Sequence, residues 1–237
     1  MPKPVDELKI GDPIIKFIKR IPETFPEIGE FNFLVYQPSA GVEGRIDQHS
    51  KPKDQLFGQH KWDFEKQLIH RVDTFTSVGQ AEKMLFHDTA EPSRLVPLKP
   101  DTVPAWLNQT LASIPPTEGI SIASKCVTAN KEIRHIPLMD FACPPTPAYE
   151  QFIVDALQKI GYKKGVLVRS GKSFHFYGLE LITAEQWQQF MSYGILLSPF
   201  TDVRYIGHRL ISGYSLLRIE KTQIKPVTPT IVRLLNT

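Results

Sequence analysis

The chain has two cysteines in 237 residues, Cys126 and Cys143. Two are too few for a disulfide framework, and their plain reading is a pair of buried, reduced thiols. No stretch approaches the ~20 apolar residues that a membrane span needs, and Met1 to Ile10 carries neither a basic start nor an apolar run. These absences predict a soluble, unsecreted protein of the cytoplasm with no membrane contact. Charge of one sign is scarce as well, with a formal net charge of only +3, where a strong duplex binder is far more basic. The charge is uneven, however. Residues 150–237 hold 11 Lys or Arg and 6 Asp or Glu, so 11 − 6 gives +5, and residues 1–149 carry −2. The basic half is the one expected to meet phosphate.

With 41% apolar side chains, the sequence can build one large domain or two small ones with a real core. In the first half, residues 31–36 (FNFLVY) read as a strand, and residues 37–61, rich in Pro, Gly and charge, as a long loop. Ser77 with Gln80 forms a capping box ahead of Ala81, Met84 and Leu85, and Thr102 precedes Pro104 at the start of a helix over 105–114. Residues 94–98 and 120–128 look extended. The first half is therefore mixed α/β, and it shows no internal repeat.

The second half is better punctuated. Residues 133–141 (IRHIPLMDF) read as a strand; Pro144 and Pro145 then hold off helix until Thr146 caps one with Pro147 at its first position. Phe152, Ile153, Ala156, Leu157 and Ile160 recur at helical spacing up to Gly161, a left-handed stop. Residues 165–169 (GVLVR) and 172–177 (KSFHFY) predict a hairpin joined by Ser170 and Gly171. Thr183 with Gln186 caps a second helix ended by Gly194, and residues 214–220 (YSLLRIE) supply a last strand. Strand, helix, strand, strand, helix, strand is the split βαβ order of ferredoxin-like and RNA-recognition sheets. It makes Asp140 and His175 neighbours at the centre of a sheet with one open face. It also puts Ser173, His175 and Tyr177 on one side and Phe174 and Phe176 on the other.

Residues 165–173 (GVLVRSGKS) do not make a phosphate loop. Five residues separate the glycines where the motif needs four, and Ser173 leads into alternating β sequence rather than a helix N-terminus. An RNA-recognition strand is a second reading of 172–177, against which Phe174 and Phe176 can simply be core. Plain alternatives stand beside the polar residues too: Asp140 as a strand-end acid on backbone amides, His175 as a satisfied core histidine, Arg209 and Arg218 as solvated or paired with Glu220. Cys126, His135 and Cys143 fit no zinc spacing, so zinc is not expected.

A strand ending in Asp140, a helix, a hairpin carrying Lys172, Ser173 and His175, a helix, Asp202 and an Arg-containing strand resembles, in that order, the catalytic core of the archaeo-eukaryotic primase superfamily. Residues 212–218 (SGYSLLR) and 225–229 (KPVTP) are similar to the tail of polymerase domains in bacterial end-joining ligases. The resemblance implies an α+β, primase-like two-module fold. Residues 1–130 would form one wall of a cleft, and residues 131–237 an RRM-like core with a split βαβ sheet. It implies nucleoside triphosphate and single-stranded or template nucleic acid as partners. Asp140 and Asp202 would be catalytic and hold Mg or Mn, while Lys172, Ser173, His175, Arg209 and Arg218 would hold the nucleotide.

One position departs from that pattern. The first motif of the superfamily has two acids one residue apart, and here Asp140 is followed at the second place by Ala142. Two-metal phosphoryl chemistry needs carboxylates enough to hold both ions. Either another acid reaches in from the first half, or one metal binds weakly, or catalysis is lost and binding kept. The expectation is a primase-polymerase-like nucleotidyltransferase with an impaired metal site; the alternative is a non-catalytic single-strand-binding or assembly module.

Overall fold

The structure, a computed structural model, describes residues 7–37, 90–223 and 225–236. The rest of the predicted 37–61 loop and the Ser77–Gln80 capping box lie outside them. The first predicted strand is β1 (Ile28–Gln37), whose buried Phe31, Phe33 and Val35 alternate with half-buried neighbours, as period two requires. It pairs antiparallel with β2 (Ala90–Leu98) on one edge and β3 (Gly119–Ala123) on the other, and its start pairs with β4 (Lys125–Thr128). Two further strands complete this six-stranded sheet: β5 (Ile133–His135) beside β4, and β9 (Leu216–Arg218) beside β3.

Helices α1 (Ile14–Lys19), α2 (Ile21–Thr24) and α3 (Val103–Ser113) add Ile14, Phe17, Ile18, Ile21, Val103 and Leu107 to the core on that sheet. Thr102 does not cap α3. It already has helical backbone after a 3₁₀ turn, and its hydroxyl donates back to the Lys99 carbonyl at 2.8 Å.

The second sheet runs β10 (Thr230–Leu235), β7 (Gly165–Arg169), β8 (Phe174–Gly178), β6 (Leu138–Asp140). On one face lie α4 (Pro147–Lys159), capped by Thr146, and α5 (Ala184–Leu196), closed by the reciprocal Thr183–Gln186 box. Gly161, at φ +97°, ends the α4 segment as expected. The fold is thus α+β, built on antiparallel sheets.

Several expectations need correcting. The run 133–141 is two strands in two different sheets, because Pro137 has no N–H to continue a ladder; its carbonyl accepts from Gly178 instead, at 2.8 Å. Residues 214–220 do not complete the second sheet. A helix the sequence reading missed, α6 (Val203–Ser212), carries the chain across, and Leu217 and Ile219 then bury against Ile120 and Ile122 of the first core. The fourth place goes to β10, beside β7, so β6 is an edge strand and β8 an interior one. The hairpin loop spans Ser170–Ser173, closed by Ser170 N–H donating to Ser173 O at 2.9 Å. Gly194 does not stop α5, which runs to Leu196; the glycine is buried there because a Cβ would come within 2.8 Å of Met139 and Ile206.

The face opposite the helices is not open. Met139, Leu167, Phe174 and Phe176 meet the helices, while Leu138, Val166, Val168, Tyr177 and Ile231 join the core shared with the six-stranded sheet. The two sheets are therefore packed on one another, and Phe174 and Phe176 are core. The tightest point in the second sheet is Gly165, where an added Cβ would lie 2.2 Å from Cε2 of fully buried Phe176. Gly165→Ala is expected to destabilise by about 2–3 kcal/mol through overpacking, measured as a lower urea midpoint at unchanged slope.

Candidate functional site

The β6 and β8 register sets Asp140 directly opposite His175, as the strand pattern predicted. His175 Nε2 lies 3.6 Å from Asp140 Oδ1, longer than a hydrogen bond. Burial, reinforced by the charges of Arg218 and Lys225, pushes the imidazole pKa well below its ordinary value. His175 is therefore neutral, and the contact is polar rather than an ion pair. Its Nδ1 is buried without a hydrogen-bond partner among the described residues.

Arg218 arrives from the other sheet, on β9 opposite Ser121, whose hydroxyl is tied to Tyr36. Its guanidinium donates to three carbonyls: Ser170 O at 2.7 Å, Glu220 O at 2.5 Å and Val227 O at 3.0 Å. It fastens the β7–β8 loop to the segment before β10, and Gly171 lies against Val227 in consequence. Burial lowers its pKa, opposed by Tyr36, Tyr177, Asp140 and Glu220. On the loop itself Lys172 is exposed and Ser173 half-buried, with the Ser173 hydroxyl 3.2 Å from that of Ser170.

Asp202 and Arg209 come in from the free edge of β6. Phe141 bridges Thr201, and Ala142 N–H donates to Phe200 O at 2.7 Å. Asp202 is the N-cap of α6, its Oδ1 accepting from the Arg204 and Tyr205 amides at 3.0 and 3.1 Å. Arg209 is 7% exposed, lies over the Tyr205 ring at 5.7 Å, and buries its Nε without a hydrogen-bond partner among the described residues. Tyr205 itself feels both Asp140 and Arg209, and burial raises its phenol pKa.

Asp140, His175, Arg218 and the Lys172–Ser173 loop thus gather at one end of the second sheet, with Asp202 and Arg209 across the β6 edge. Sequence reasoning missed Lys225, Tyr36 and Tyr205 here. Tyr205 was findable, since Asp202 and Gly213 bracket α6 as cap and left-handed stop, Gly213 having φ +76°. Cys126 and Cys143 are both buried and reduced, and burial pushes the Cys126 thiol up to about 12. A separate cleft along the β4–β5 hairpin, lined by Glu27, Asn130, Glu132 and Arg134, contains none of these residues.

The described residues do not fit a two-metal centre. Ala142 offers no oxygen ligand, Asp202 spends Oδ1 on its cap, and no group of three His, Cys, Asp or Glu among the described residues could hold a metal ion. No described helix is long and apolar enough to cross a membrane.

Two packed antiparallel sheets with helices on them and a polar cluster where the sheets meet define an α+β protein. A family model places it more closely: AEP-like, archaeo-eukaryotic primase 1D-like, matching residues 100–229, which is 130 of the 237. The chain belongs to that family. Membership carries a primase-like, nucleic-acid-related function, with nucleotide and nucleic-acid binding in general. No curated protein and no solved structure matches the chain.

Proposed function

We propose that the protein binds a nucleoside triphosphate at the end of the second sheet, beside single-stranded or template nucleic acid, as a primase-polymerase-like protein whose transfer chemistry is impaired. The convergence of Asp140 and His175 with the Arg218-braced loop carries this reading. Lys172 supplies an exposed donor and Ser173 a half-buried hydroxyl, and the neutral His175 ring adds a buried donor or acceptor. Arg218 contributes charge while its own donors hold the loop in shape. The match of the family to residues 100–229 supports the ligand class.

The impairment rests on Ala142 and on the helix-capping role of Asp202. Asp140 then acts as a polar neighbour of the phosphates, next to where Mg or Mn would accompany them. The cytoplasm is the proposed compartment.

Isothermal calorimetry with ATP, with and without Mg²⁺ or Mn²⁺, tests the reading. Binding is expected in wild type and about tenfold weaker in His175→Ala, the scale of one buried hydrogen bond to a charged group. No heat in wild type, or an unchanged His175→Ala, would refute it. The non-catalytic alternative is favoured by Ala142 at the place of the second acid, and it predicts binding with no primer extension.

A further inference from the structure

Between Lys172 and Arg204 the chain has no Lys or Arg, although its second half is otherwise the basic one. That stretch includes α5, where Glu185, in the first turn, is the one charged residue. The outward positions that follow, Gln188, Gln189 and Ser192, are polar without charge, and the last turn exposes Ile195 (42%) and Leu196 (71%). These positions recur at helical spacing, on the side of α5 turned away from buried Trp187, Phe190 and Met191.

The apolar surface continues past the end of α5. Phe200 N–H donates to Leu197 O at 2.9 Å, folding the chain into a tight corner, and Val203, 45% exposed, opens α6 just beyond it. From α4, Phe152 (36% exposed) sets its ring 4.1 Å from that of Phe200. Phe152, Ile195, Leu196 and Val203 are thus joined through one corner of chain rather than scattered singly. Exposed apolar side chains gathered in this way mark interaction surfaces.

The charges decide what meets this face. A polyanion or an anionic lipid surface needs cations, and from Ser173 to Val203 there are no lysines or arginines. Depletion of charge around aromatic and aliphatic side chains is the composition of a protein–protein interface core. At the margins the signs balance: Asp155 and Lys159 follow Phe152 one and two turns along the outward side of α4, and Asp202 and Arg204 flank Val203. Two-fold contact sets a surface against its own copy, so it disfavours a face of one sign and suits a neutral one bordered by both. The whole chain, at +3, adds little repulsion between copies. We infer that this corner of α4, α5 and α6 is the contact of a homodimer, with Phe152, Leu196 and Val203 of each copy entering a two-fold interface. The apolar surface is small, which makes the dimer weak and concentration-dependent.

Sedimentation velocity on the full-length chain from about 1 to about 100 µM tests it. Wild type is expected to pass from monomer to dimer across that range. Leu196→Glu and Val203→Glu each bring like charges together at the two-fold and are expected to weaken the dimer at least about tenfold. Folding is not at stake in either. Leu196 is largely exposed, so its urea midpoint should stay at the wild-type value, and an acid in the first turn of α6 suits the helix N-terminus. Ile133→Glu, at an exposed apolar position on β5 in the other sheet, is expected to leave the dimer intact. A wild type that stays monomeric at the highest concentration overturns the assignment, as does a dimer that persists undiminished in either corner variant. An equal loss in Ile133→Glu would move the contact to the other sheet and overturn it too. A monomer that floats with uncharged phosphatidylcholine vesicles, and no longer does so in Leu196→Glu, would give the face to lipid instead.

Discussion

Replacing Arg218 by alanine is expected to remove about 4 kcal/mol of stability and to abolish triphosphate binding, the larger loss coming from structure rather than from a lost ligand contact. Three carbonyls, of Ser170, Glu220 and Val227, share this one guanidinium. Hydrogen bonds to a charged group contribute about 1.5–3 kcal/mol each, and the cost of burying the cation offsets part of the sum. A chain of this size loses roughly 2–4 °C of Tm per kcal/mol, so the midpoint should fall by about 10 °C. Because Arg218 lies on β9 of the six-stranded sheet and Ser170 on the loop of the other, its removal also unties the loop that presents Lys172 and Ser173. Arg218→Lys keeps the charge but has a single nitrogen for carbonyls on separate segments, and should recover less than half of the loss. Urea denaturation gives the stability; amide exchange at residues 170–173 gives the loosening. A loss under about 1 kcal/mol in Arg218→Ala would mean that water replaces the guanidinium at those carbonyls and that the loop holds its own shape.

What the sequence made legible was local. Thr146 with Pro147, Gly161, and the Thr183–Gln186 box each act within one turn of chain, and each is in place. The Asp140–His175 pairing was legible because a hairpin between two helices leaves few ways to arrange three strands. Long-range strand choice was not legible. Residues 216–218 and 230–235 are both short and apolar, and only tertiary packing of Leu217 and Ile219 against Ile120 and Ile122 decides which sheet each enters. The same holds for 133–141, where the apolar pattern runs on smoothly through Pro137 while the hydrogen bonds change sheets. At the site, a residue's type suggested its ligand but not its existing commitments. Arg218 and Asp202 look like phosphate and metal residues in sequence, and in the structure the one clamps backbone carbonyls and the other caps α6. Arg209, which the resemblance also gave to the nucleotide, lies on the packed side of a helix not foreseen in the sequence, 7% exposed and over the Tyr205 ring.

Acid should unfold the protein well before its carboxylates are protonated, through two buried neutral histidines. His135 is 2% exposed, stacks on Trp187 at 4.8 Å and shares a 3.1 Å hydrogen bond with Ser124, whose hydroxyl also accepts from the Ser215 amide. Burial first, and then Lys125, brings its pKa down to about 4; His175 is lowered by burial and by Arg218 and Lys225. Both folded values lie below the unfolded value of 6.5. The unfolded chain therefore binds more protons below that pH, and the contribution of each histidine is fully present above pH 6.5 and is lost as pH falls. Each adds a slope of about 1.4 kcal/mol per pH unit, so the pair gives nearly 3 kcal/mol per unit and about 3–4 kcal/mol between pH 6.5 and 5. The His135 share stops growing near pH 4, where the folded form takes up its proton as well. The acids held low, Asp12 through Lys16 and Glu185 through its own backbone amide, lose their contribution only below the ordinary carboxylate range and so lie outside this window. Urea titrations at half-unit steps should show a plateau above pH 7 and a steep decline below 6.5, with His175→Gln roughly halving the slope. A stability that stays level from pH 7 to 5 would mean that one or both rings accept a proton in the folded state, and that the junction between the two sheets is wetter than its packing implies.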